Sequence, residues 1–108
     1  MFIADPYVKL CMAVNGKKGD KKKTKTKEKT LNPVYNETFT FNLANEKIRA
    51  GSLYLEVYDN DKFNKDDVIG VVEIGPGKGT TGNSHWNEMM NAKGQAASKW
   101  HALKPADD

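Results

Sequence analysis

Two stretches of period-2 alternation on either side of an acidic loop constrain this chain most. Residues 53–58 alternate apolar with mixed side chains (Leu53, Leu55 and Val57 against Tyr54, Glu56 and Tyr58), and residues 68–74 are a β-branched run ending at Ile74. Both read as strands. Between them, Asp59, Asp61, Asp66 and Asp67 put four carboxylates within nine positions. Such a cluster repels itself unless water screens it or a hard cation neutralises it. Ca²⁺ suits it, because that ion takes about six to eight oxygen ligands in flexible geometry. Asp59, Asp61 and Asp67 are the candidates to converge on one ion, with Asn64 or a backbone carbonyl helping. The alternative is a solvated acidic turn that binds nothing. An EF-hand is excluded. With Asp59 at the first loop position, Asn64 stands where the turn needs Gly and Gly70 where a bidentate Glu is needed, and the flanks are strands.

The rest of the chain supplies more strands. Residues 7–14 alternate, so Val8, Leu10, Met12 and Val14 are expected inward and Tyr7, Lys9, Cys11 and Ala13 outward. Asn15-Gly16 marks a turn, and the loop is expected to run to about Asp20. Residues 21–27 alternate with Lys21, Lys23, Lys25 and Lys27 on one face and Lys22, Thr24 and Thr26 on the other. That row reads either as an edge strand guarded by lysine or as a phosphate-binding patch, which Tyr7 and Lys9 extend. Leu31-Asn32-Pro33 is a turn. Residues 35–43 are expected as a strand with Phe39, Phe41 and Leu43 inward, and residues 45–50 as a helical turn ended by Gly51. The glycine-rich segment 75–82 lacks the Gly-Lys-Ser/Thr ending of a nucleotide loop. Residues 84–91 read as a helix capped by Ser84, with Trp86, Met89 and Met90 as its packing face. Residues 99–103 read as the last strand. Short strands, turn signals and little helix predict an antiparallel β-sandwich.

At 108 residues the chain forms one small domain, expected over 1–104 with a tail at 105–108. A single cysteine excludes an internal disulfide framework and fits a reducing, cytoplasmic setting. No apolar run reaches the length of a membrane span and no signal peptide is visible, so membrane contact is expected to be peripheral. The net charge of +3 conceals a segregation: eight lysines crowd into residues 17–29. No Ser/His/Asp or Cys/His set suggests catalysis. His85 and His101 lack ligand-spaced companions, and Cys11 reads as a passive strand residue. An enzyme is not expected.

Five ordered motifs carry a resemblance. They are Asp5-Pro6-Tyr7-Val8-Lys9, then Lys23-Thr24-Lys25-Thr26, then Leu31-Asn32-Pro33-Val34-Tyr35-Asn36-Glu37-Thr38-Phe39, then Asp59 with Asp61, then Asp67 with Gly70. Together they resemble the C2 domain, the calcium- and lipid-binding sandwich of protein kinase C and synaptotagmin. His85-Trp86 and the ending Trp100-His101 with Leu103 look like the second C2 domain of synaptotagmin, rabphilin and double-C2 proteins, with an extra helix before the last strand.

The resemblance implies that Asp5, Asp59, Asp61 and Asp67 bind Ca²⁺ at one tip, with a further oxygen at Asn64. It implies that Phe63 enters a bilayer, and that Tyr7, Lys9, Lys21, Lys23 and Tyr58 contact phosphoinositides, with Lys25 continuing the lysine row. The expected partners are anionic phospholipid membranes, phosphoinositides and vesicle-fusion proteins, on vesicle or plasma membranes in trafficking and exocytosis. Nucleic acid is not expected, because lysine lacks arginine's base-reading fork and no aromatics interleave the run.

The family pattern has two strands and one more calcium-binding Asp upstream of Asp5, whereas this sequence starts at Met1. Those strands are therefore expected to be missing, the calcium site weakened, and copies expected to pair through an open sheet edge. The alternative is a calcium-independent phosphoinositide or protein interaction module with a degenerate calcium site. Gly94 and Gln95 replace the paired arginines of synaptotagmin, which argues against membrane bridging through that end.

Overall fold

Asn15 and Gly16 set the first hairpin. Both have positive φ (53° and 76°), the conformation of a two-residue turn whose twist matches the flanking strands. The turn joins β1 (Pro6–Val14) to β2 (Lys17–Lys23) in a computed structural model that describes residues 3–106. Because the turn is this tight, β2 begins at Lys17, not after Asp20. Two further strands, β3 (Gly51–Asp59) and β4 (Asp67–Ile74), complete one antiparallel sheet in the order β2-β1-β3-β4. Two helices accompany it, α1 (Asn45–Ile48) and α2 (Gly79–Asn91). The all-β antiparallel class expected above is the observed one. Met1, Phe2, Asp107 and Asp108 lie outside the described residues, and with them the end of the expected tail.

Register decides which side chains share a face. Lys9 pairs with Lys23 and Glu56, Cys11 with Lys21 and Tyr54, and Tyr7 with Tyr58. On the other face Val8 pairs with Val57, Leu10 with Leu55, and Met12 with Leu53, which in turn pairs with Ile74. The two faces of β1 therefore separate as expected, but burial runs the other way. Tyr7, Cys11 and Ala13 are buried at 6–7% exposure, whereas Val8, Leu10 and Met12 are only half-buried. Lysine stems and stacked tyrosines roof the first face.

The second face is covered more thinly. Residues 35–43 and 99–103, both expected as strands, are not strands; Lys104, just beyond the second, makes a single bridge to Val71. A strand exists only where a neighbour takes its backbone groups, and none does so here among the described residues. Phe41 and Leu43 still pack inward. With Trp86 and Met89 of α2 they line an apolar cavity of about 310 Å³ over Met12, Leu53 and Ile74. The radius of gyration, 14.7 Å, exceeds the roughly 13 Å typical of a domain this long, in keeping with this loose second layer.

Helix α2 starts at Gly79, five residues before the expected Ser84, whose hydroxyl donates to Glu88 instead of capping. Its packing face is Gly82 and Trp86, both buried; Met89 and Met90 are about 40% exposed. His85 and His101 serve structure. His85 Nε2 donates to the Ala97 carbonyl at 3.0 Å and its Nδ1 lies 2.8 Å from His101 Nε2, which ties the last segment to α2.

Gly82 sits so close to β4 that an added Cβ would stand 2.0 Å from the Glu73 carbonyl oxygen. Gly82→Ala is therefore expected to destabilise by about 1–3 kcal/mol through overpacking, although helix propensity alone would favour Ala by about 1 kcal/mol. A urea midpoint that falls supports this packing; one that rises contradicts it.

Candidate functional site

Asp5 and Asp59 meet at one end of the sheet because Pro6 pairs with Asp59 across β1 and β3. The Asp5 amide donates to Asp59 Oδ1 at 2.9 Å, and the Asn60 amide returns a bond to the Asp5 carbonyl at 3.0 Å. Asp5 Oδ1 also accepts from the Lys29 amide at 2.7 Å. Asp67 pairs with Asp59 on the other side. In the loop, Asp61 Oδ1 accepts from the amides of Phe63 (2.9 Å) and Asn64 (3.1 Å), which turns the chain and leaves Phe63 92% exposed. The expected calcium residues thus gather at one tip. Their oxygens are hard donors of the kind calcium takes. Among the described residues, however, no three acidic, histidine or cysteine side chains converge closely enough to hold a metal ion. One carboxylate oxygen on each of Asp5, Asp59 and Asp61 is already engaged by a backbone amide.

Sequence reasoning does not single out Asp66, yet it is the loop carboxylate bonded at both oxygens, one of them from another strand. Its Oδ1 accepts from the Asp61 amide at 2.9 Å and its Oδ2 from the Tyr7 hydroxyl. These two donors, with Lys9 and Lys23 nearby, hold its carboxyl below the usual range. Spacing carries no signal for it, since four acidic residues in one loop look alike until a tyrosine from another strand selects one.

The second cluster lies on the sheet face beside this tip. Lys9, Lys18, Lys21, Lys22 and Lys23 line a cavity of about 520 Å³ with Leu10, Cys11, Glu56 and Tyr58. Tyr7 and Tyr58 stack beneath it, ring centroids 5.4 Å apart and 13° from parallel. Lys9 Nζ lies 4.6 Å from the centre of the Tyr58 ring, Lys23 Nζ 5.9 Å from that of Tyr7 and Lys18 Nζ 4.9 Å from that of Tyr54. Cation–π attraction holds the ammonium groups over the sheet without neutralising them. No ion pair involves these lysines among the described residues; the pairs found are Lys78–Glu73 and Lys99–Glu88.

Two expectations for this face need correction. Tyr7, expected to be outward, is buried under Lys23. Lys25 does not join the row, because β2 ends at Lys23. Thr24 closes the strand there, its amide donating to the Val8 carbonyl and its hydroxyl accepting from the Val8 amide, both at 2.9 Å. Alternation is lost beyond it, and the Lys25 amide donates instead to the Glu37 carboxylate.

Burial, then the Asp66 bond and charge, push the Tyr7 hydroxyl up to about 12. A folded value above the unfolded one means stability that is fully present below about pH 10 and lost as pH rises through about 12. Burial also raises Tyr35 and Tyr58, so in an absorbance titration the most alkali-resistant tyrosine is expected still to be un-ionised at pH 11, and Tyr7→Phe is expected to remove that last step. Ordinary titration of every tyrosine contradicts the Tyr7–Asp66 bond.

Comparison with known proteins gives a consistent picture. A family model described as C2 domain matches residues 3–89. Synaptotagmin-B of Diplobatis ommata is 40% identical over 106 residues, which is 98% of this chain and 24% of that protein. A C2 domain of plant extended synaptotagmin 1 superposes with a TM-score of 0.57 at 33% identity, covering 65% of this chain and 50% of that one. A human cytosolic phospholipase A2 superposes with a TM-score of 0.58 at 35% identity, covering 73% of this chain but 11% of the enzyme. The chain spans about a quarter of the length of the curated relatives it matches.

Proposed function

The chain belongs to the C2-domain family, and from that membership we propose that it is a non-enzymatic module that docks on anionic membranes in trafficking, with phosphoinositide headgroups in its lysine groove. Calcium and phospholipid binding are general properties of this family. The observation that carries the reading is the groove: five lysines line it without an acidic partner within ion-pair reach among the described residues, and two of them, Lys9 and Lys23, stand over the stacked tyrosines. Each lysine near an anionic surface contributes about 1 kcal/mol, within a Debye length of roughly 8 Å at physiological salt. The tyrosine rings back the lysines and are not left free to stack bases, which favours a lipid headgroup over nucleic acid.

Calcium is proposed as a second contact. Asp5, Asp59, Asp61 and Asp67, with Asn64, would hold it at the loop tip, where it would neutralise the carboxylates and let Phe63 approach the bilayer. The loose spacing of these groups supports weak binding, in the range of about 10⁻⁴ to 10⁻³ M without lipid. It also supports the runner-up, a groove that works without calcium. Among the described residues no helix is long and apolar enough to cross a membrane, so attachment is proposed to be peripheral, on the cytoplasmic face of vesicle or plasma membranes. Vesicle-fusion proteins are proposed partners there. Pairing of two copies through the open sheet edge is proposed as well.

Replacing Lys9, Lys21 and Lys23 together by Ala is expected to weaken binding to phosphoinositide vesicles in EGTA on the order of a hundredfold, about fivefold per charge. Lys25→Ala is expected to stay near the parent. Parental binding by the triple variant sinks the groove reading. Asp59→Asn with Asp61→Asn is expected to remove any calcium-dependent increment and leave binding in EGTA intact; a calcium increment that survives counts against those ligands.

A further inference from the structure

The groove is not electrically simple. Two carboxylates face its lysines, and each is bonded by a tyrosine hydroxyl: Glu56 by Tyr58 at 3.1 Å, and Asp66 by Tyr7. Glu56 belongs to β3 and its place is set by the sheet. Asp66 belongs to the loop, and two bonds hold it at the border between acidic tip and basic face, one from the Asp61 amide and one from Tyr7. Lys9 and Lys23 act on it electrostatically, yet neither is ion-paired to it. Its negative charge is therefore stationed beside the two lysines that cap the tyrosine stack without cancelling either.

We propose that Asp66, held by the Tyr7 hydroxyl, is an internal counter-anion of the lysine groove that restrains its affinity for phosphorylated inositol headgroups. This rests on the groove reading above. A fixed negative charge at the rim repels an arriving anion in proportion to that anion's charge. Removing the charge must then help a multiply phosphorylated headgroup more than a singly charged one. Tyr7 is a positioning residue in this scheme. Its hydroxyl bonds Asp66, not the ligand, so its loss acts only through Asp66.

The test uses the whole chain and phosphatidylcholine vesicles in EGTA, carrying phosphatidylserine, phosphatidylinositol 4-phosphate or phosphatidylinositol 4,5-bisphosphate. Asp66→Asn is expected to tighten binding by about two- to fivefold, the scale of one unit charge near such a surface, with the gain rising along that series. Asp66→Glu keeps the charge and is expected to match the parent. Tyr7→Phe is expected to tighten binding in the parent by no more than Asp66→Asn does, because Asp66 loses its mooring, and to have no effect in the Asp66→Asn background. Inorganic phosphate at millimolar concentration is expected not to displace the chain from bisphosphate vesicles.

The proposal is overturned if Asp66→Asn brings no gain, or an equal gain for all three lipids, or if Asp66→Glu gains as much. It is also overturned if Tyr7→Phe weakens binding in the parent or in the Asp66→Asn background, which makes the hydroxyl a ligand contact, or if phosphate displaces the chain. A parent that binds none of the vesicles overturns the groove reading and this proposal with it. A parent that binds while Asp66→Asn stays at its level overturns the proposal alone.

Discussion

The stacked pair Tyr7 and Tyr58 is the contact on which the rest depends. The two residues are register partners across β1 and β3, so the stack exists only if those strands align as they do. An aromatic pair of this kind contributes about 0.5–1.5 kcal/mol beyond its buried area. What it organises matters more. Above it sit Lys9 and Lys23, each attracted to a ring. At its ends the hydroxyls bond Asp66 and Glu56. One ring pair thus seals one face of the sheet, raises cations above it and moors the acidic loop beside it.

Charge segregation follows from this arrangement. Lysines collect over the face of β1 and β2, while Asp5, Asp59, Asp61 and Asp67 collect at the tip where β1, β3 and β4 end. The two regions touch at Asp66. An anionic surface is drawn to the first region at any calcium level and is repelled by the second until its carboxylates are neutralised. On the proposed function, that division supplies a calcium-independent contact and a calcium-sensitive one.

Much of this is legible in the sequence because alternation reports local geometry faithfully. Strands β1, β3 and β4 and the sharing of a face by Tyr7, Lys9, Lys21 and Lys23 follow from period-2 patterning. The features that are not legible depend on partners distant in the chain. Residues 35–43 alternate as a strand should, but alternation cannot supply a neighbour for their backbone groups. The buried face of β1 escapes sequence reasoning because lysine looks like a solvent residue, whereas its aliphatic stem roofs Tyr7 and Cys11. Ser84 has the chemistry of a cap, but Gly82 allows α2 to approach Glu73, and the helix begins five residues earlier. Asp66 is distinguished from its neighbours only by Tyr7, which lies 59 positions away.

The central claim is that the lysine face over the tyrosine stack is where an anionic headgroup sits. Amide chemical-shift mapping during titration with inositol 1,4,5-trisphosphate in EGTA tests it most directly. The account predicts perturbations concentrated at Lys9 and Cys11 of β1, Lys21 to Lys23 of β2 and Tyr58 of β3, reaching the loop only at Asp66. Perturbations centred on residues 60–64, or spread over residues 24–44 with β1 and β2 silent, would contradict it.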